Sequence, residues 1–101
     1  MAKNTIIVPK EKIAEFCHRN HIRKLAFFGS VLRDDFRADS DIDVIAEFEP
    51  GHVPGFALIR MEDELSALLK GHKIDLVTPK FLNPRIRDQI LAEAKVQYVQ
   101  D

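Results

Sequence analysis

The sequence contains one cysteine, Cys17, in 101 residues. An internal disulfide is therefore excluded, and a reducing compartment is expected. No apolar run approaches the roughly 20 residues a helix needs to cross a bilayer. Met1-Ala2-Lys3-Asn4 leads into a short apolar stretch and then into charges, which is not the pattern of a secretory signal. An excess of charge is also missing: 15 Lys and Arg against 16 Asp and Glu leave a formal net charge of −1. Without a general basic field, gripping a nucleic-acid backbone is not expected to be the main activity. Internal repeats and low-complexity segments are absent as well. What is there, 46% hydrophobic and 31% charged residues, is the balance of a soluble globular protein. The length suits one domain, residues 1–101, and the cytoplasm is the expected location.

Hydrophobic periodicity divides the chain into short elements. Pro9 opens a helix, with Ile13, Phe16 and Cys17 at helical spacing and Glu11, Lys12, Glu15 and Arg19 on the polar side. Ile22–Phe28 is rich in branched and aromatic residues and closes on Gly29-Ser30, as a strand running into a tight turn does. A helical turn is expected near Ser30–Asp34. Asp41–Phe48 alternates: Ile42, Val44, Ala46 and Phe48 fall on one face, Asp41, Asp43 and Ile45 on the other. Leu58, Met61, Leu65, Leu68 and Leu69 mark an amphipathic helix ending at Gly71. Lys73–Val77 reads as a third strand, Pro84 opens a last helix with Ile86, Ile90, Leu91 and Ala94 inward, and Val96–Val99 adds a terminal strand. The link between the first two strands is too brief for a helical crossover, so they are predicted antiparallel. The expected class is α+β, a small mixed sheet with helices packed on one face.

Asp41 and Asp43 carry the chemistry. Two residues apart on a strand, they project to one side, roughly 6.6 Å apart along the backbone. Carboxylates so placed suit a hard divalent cation such as magnesium, which completes its shell with water and substrate phosphates. Asp75 repeats the pattern, flanked by the inward Ile74 and Leu76. If the strands are neighbours, three carboxylates share one face, where they repel unless a cation stands between them. Gly29 at a strand end lets the backbone approach a phosphate, and Ser30 adds a hydroxyl and an N–H.

The spacing Gly29-Ser30, ten residues, Asp41-x-Asp43 resembles that of the nucleotidyltransferase superfamily related to polymerase beta, and in particular of its minimal nucleotidyltransferases. Leu25-Ala26-Phe27-Phe28-Gly29-Ser30, Asp39-Ser40-Asp41-Ile42-Asp43 and Ile74-Asp75-Leu76-Val77-Thr78-Pro79 look like family segments in family order, and Arg85–Ala94 looks like the closing helix. The resemblance implies the polymerase beta-like catalytic core. It also implies a two-metal mechanism, with two Mg2+ ions and ATP or another NTP as substrate. Asp41, Asp43 and Asp75 would be catalytic and metal-binding, Asp75 either as a metal ligand or as acceptor of the hydroxyl's proton. Gly29, Ser30, Arg33 and Ser40 would bind the nucleotide. The family often has a small residue, Arg and Gly after Gly-Ser; here Leu32, Arg33 and Asp34 keep the arginine and lose the glycine.

A chain this short has no room for an acceptor-binding domain, which points to a protein partner, a second copy of itself or a macromolecular acceptor. Minimal nucleotidyltransferases commonly act with a HEPN-family RNase toxin, as the antitoxin that adenylylates it. The resemblance therefore implies AMP transfer from ATP to a tyrosine hydroxyl on such a toxin. Transfer to RNA or a small molecule, and neutralisation by binding without catalysis, are the alternatives. Among the remaining residues, His18 and His21 lack an evident third ligand and are read as helix C-terminal charge. His52 and His72 are read as solvated, Cys17 as core, and Lys80, Arg85 and Arg87 as a modest basic cluster.

Overall fold

The computed structural model describes residues 8–32, 40–52 and 55–100. Helix α1, Lys10–Arg19, starts directly after Pro9 and leads into strand β1, Ile22–Phe28. The turn between them is closed by His21 in the left-handed backbone region, with φ of 59°. The chain continues through a short 3-10 turn, Gly29–Leu32, to strand β2, Ile42–Phe48. Then follow helix α2, Ala57–Leu68, strand β3, Ile74–Val77, a 3-10 turn at Pro79–Phe81, helix α3, Pro84–Glu93, and strand β4, Lys95–Val99. Among the described residues no helix is long and apolar enough to cross a membrane.

The strands form one mixed sheet in the order β3-β2-β1-β4. β1 pairs antiparallel with both β2 and β4, as the short link between the first two strands predicted for that pair, while β2 and β3 run parallel. α2 supplies the crossover that a parallel pair requires. The fold is thus the small mixed α+β sheet expected from the sequence.

The core lies on one face of the sheet. Ile13, Phe16 and Cys17 of α1 and Met61 and Leu65 of α2 meet Ile22, Leu25 and Phe27 of β1, Ile42, Val44 and Ala46 of β2, and Ile74 and Leu76 of β3. Burial of the Cys17 thiol pushes its pKa up to about 12, which fits its reading as core. β3 is an edge strand, and its free edge is partly covered: the Leu76 N–H donates to Glu62 Oε2 of α2 at 2.8 Å. Ala26 and Ile45 are also buried but stand opposite each other outside the main cluster, on the sheet's second face.

α3 departs from expectation. The periodicity places Ile86, Ile90, Leu91 and Ala94 inward; Ile90, Leu91 and Ala94 are half-buried, but no α3 residue is fully buried and Ile86 is 46% exposed. The segment connects β3 and β4, the two opposite edges of the sheet, whereas the main core is built by α1 and α2. Its start is nonetheless well made, with Pro84 in the first turn and Asn83 Oδ1 accepting from the Arg85 N–H at 2.9 Å.

Leu65 is fully buried at the α2–sheet junction. Leu65→Ala is expected to cost about 2–5 kcal/mol of stability, read as a lowered midpoint in urea unfolding.

Candidate active site

Three strand ends build the site. In β2 the alternation holds: Ile42, Val44 and Ala46 point into the core and Asp43 projects from the opposite face. Asp41, just ahead of the strand, is exposed, and Asp43 is half-buried. The parallel pairing places Asp43 directly beside Asp75 of β3, and the antiparallel pairing places it beside Phe28 of β1. Residues opposite one another across a ladder share a face, so Phe28, Asp43 and Asp75 form one row across three strands. The Ile42 N–H, donating to the Lys73 carbonyl at 2.8 Å, ties the start of β2 to the approach to β3 and helps to fix that row.

Gly29 follows Phe28 and turns the chain with φ of +76°. The Asp43 carboxylate lies against it. A Cβ at position 29 would meet Asp43 Oδ2 at 2.4 Å and Asp43 Cγ at 3.3 Å. Glycine is required here twice, by the left-handed backbone and by the carboxylate packed on its Cα. Ser30 is half-buried, and its hydroxyl donates to the Asp41 carbonyl over a long 3.5 Å, which links the turn to the start of β2. The predicted helical turn is present at Gly29–Leu32. Ser40 immediately precedes Asp41 and is half-buried. Arg33 and Asp34 lie outside the described residues.

This arrangement matches a known family along most of the chain. The family model for polymerase beta nucleotidyltransferases matches residues 11–101. The chain belongs to the polymerase beta nucleotidyltransferase family. It is 35% identical over 80 residues to the protein adenylyltransferase MntA of Thermococcus cleftensis, an alignment covering 78% of each protein. A solved structure assigned as a minimal nucleotidyltransferase superposes with a TM-score of 0.70 at 36% identity, over 84% of this chain and 85% of that one. A chain from the complex of a tri-AMPylated Shewanella oneidensis HEPN toxin with an MNT antitoxin shares the fold, with a TM-score of 0.58 at 20% identity. That match covers 90% of this chain and 70% of the other.

The electrostatics of this carboxylate group centre on Asp43. Burial, then the neighbouring charges of Asp75 and Asp41, push its pKa above the ordinary carboxylate value. Asp75 and Asp41 each stand close enough to Asp43 to act on its charge, and the donor set, all carboxylate oxygen, is the kind that hard divalent cations take. Two ions roughly 3.5–4 Å apart would not require all three carboxylates to converge on one point.

Sequence reasoning missed a second cluster. His21, Glu49 and His52 offer ligand atoms that all lie within 4.8 Å of one another. His52 is not simply solvated, and His21 is more than a charge at a helix end: their rings stack, with centroids 3.8 Å apart. The Glu49-x-x-His52 spacing was the available signal, but nothing in the sequence brings His21 beside it.

Gly29→Ala forces the Asp43 carboxylate aside and is expected to reduce nucleotidyl transfer about 100-fold while the protein stays folded, measured with labelled ATP and circular dichroism. A raised folded-state pKa means that native Asp43 holds its proton more tightly than the unfolded chain does. Its stabilising contribution is present at low pH and is lost as pH rises through the raised value. Asp43→Asn should therefore raise the Tm of the metal-free protein at pH 7, and the difference should disappear on acidification through the carboxylate range.

Proposed function

We propose that this nucleotidyltransferase moves AMP from ATP to a hydroxyl, tyrosine being the residue that the family resemblance implies, on a HEPN-type toxin and so acts as its antitoxin. The row Phe28–Asp43–Asp75 across three strands, with Asp43 packed on Gly29, is the observation that carries the reading. It sets a carboxylate face against a backbone turn that has no side chain at Gly29. The adenylyltransferase name of the Thermococcus relative and the AMPylated HEPN toxin of the Shewanella complex support the donor and the partner.

In this reading the Gly29-Ser30 turn receives the triphosphate, with Ser40 beside it. Asp41 and Asp43 would hold Mg2+, and Asp75 would either join them or take the proton of the acceptor hydroxyl. Bound magnesium would supply charge neutralisation for the phosphates and acidify the acceptor hydroxyl. The acceptor oxygen forms a bond to the α-phosphorus, the bond from that phosphorus to the bridging β-phosphate oxygen breaks, and pyrophosphate leaves. The hydroxyl proton passes to a carboxylate or to water. Burial and then the charges of Asp75 and Asp41 raise the Asp43 pKa, and a bound magnesium ion would offset the part due to charge.

Intact-mass analysis of the HEPN partner after incubation with this chain and Mg-ATP tests the proposal. AMP-sized additions are expected with the intact chain and not with Asp41→Asn/Asp43→Asn. An unmodified partner that still binds tightly would replace catalysis with neutralisation by occlusion.

A further inference from the structure

The end of β2 remote from the aspartates carries a cluster of different chemistry. From Asp43 to Glu49 is six residues of extended chain, roughly 20 Å. At that far end the ligand atoms of His21, Glu49 and His52 lie mutually within 4.8 Å. The imidazoles of His21 and His52 stack with 14° between their planes, and His21 Nδ1 is 3.8 Å from Glu49 Oε1.

The cluster is organised by the main chain and by a second layer of contacts. The Glu49 N–H donates to the His21 carbonyl at 2.9 Å, and the His52 N–H donates to the Glu49 carbonyl at 3.0 Å. All three backbones are thus fixed relative to one another. Glu49 Oε2 accepts from Gln100 Nε2 at 2.9 Å, which leaves Oε1 turned toward His21. Gln100 is anchored in turn, its N–H donating to the Arg23 carbonyl at 2.8 Å. Bonds of this kind orient metal-ligating carboxylates and tune their affinity.

We infer that His21, Glu49 and His52 form a second metal site, for a zinc-class divalent cation. Two imidazoles and one carboxylate are a borderline-soft set suited to Zn2+, with a fourth position left for water, whereas magnesium favours all-oxygen surroundings such as the aspartates. Ligand bonds of roughly 2.0–2.2 Å place tetrahedral donors about 3.3 Å apart, so closure requires a shift of about 1 Å. His21 and His52 are exposed and Glu49 is half-buried, which allows that shift. The rings must also turn, because stacked imidazoles direct their lone pairs side by side rather than to one point. The adjoining hollow is lined by Arg60 and by Arg19, which pairs with Glu64, as well as by the two histidines, and it leaves room beside them for a fourth ligand. A bound ion would fasten the start of β1 to the end of β2 and to His52 beyond it.

Tag-free Asp41→Asn/Asp43→Asn protein, in which the aspartate face is disabled, provides the test. Titration with Co2+ is expected to give the visible bands of a four-coordinate ion at one equivalent, displaced by Zn2+. Zn2+ at a hundredfold excess over its Kd should raise the Tm by about 10 °C or more. His52→Ala or Glu49→Gln in the same background should weaken binding at least tenfold and abolish the Tm rise, Gln100→Ala should weaken it about tenfold, and His18→Ala should change nothing. Absence of saturable binding, or binding that survives both His52→Ala and Glu49→Gln, would overturn the assignment.

Discussion

The contact between the Asp43 carboxylate and the Cα of Gly29 is the constraint on which the rest of the site depends. It requires a glycine at the end of β1, an acid at the second position of β2, and an antiparallel register that brings them together. Each of these has a separate cause. The turn takes a left-handed backbone that glycine adopts without strain. The acid faces away from the core because Ile42 and Val44 on either side are fully buried. The register follows from the same burial, since a slip of one residue would turn Asp43 into the core and expose Val44.

Asp75 extends this logic to the third strand. Ile74 and Leu76 are buried, which turns Asp75 outward, and parallel pairing sets it beside Asp43. The Glu62 side chain holds the outer edge of that strand through the Leu76 N–H. The Asp43 pKa is raised first by burial and then by the gathered charges of Asp75 and Asp41, so both the burial and the grouping carry an electrostatic cost. In the proposed reading a bound magnesium ion would offset the charge-repulsion part of that cost, so the grouping that destabilises the bare protein would be the one that holds the metal.

Much of this was legible in the sequence because it is local. Alternation assigned the faces of β2 and β3, Gly29 marked the turn, and the brief link between β1 and β2 gave their antiparallel pairing. What was not legible depends on pairings distant in the chain. α3 has an apolar repeat like that of a buried helix, yet it lies between strands on opposite edges of the sheet, and Ile86 remains exposed. Ile45 reads as belonging to an open face but is buried opposite Ala26, so that face is open only toward the strand ends where the acids stand. His21 meets Glu49 and His52 only because β1 and β2 pair along their full length. Their separation in sequence conceals the cluster.

The central claim, that the ends of β1, β2 and β3 together receive a metal-bound nucleotide, is tested most directly by paramagnetic broadening. Mn2+ and ATP would be added together to 15N-labelled protein, with Mn2+ alone as reference. ATP-dependent broadening is expected to be strongest at the amides of Gly29, Ser30, Ile42, Asp43 and Asp75. Sharp resonances at those amides in the presence of Mn2+ and ATP, with broadening centred elsewhere, would contradict it.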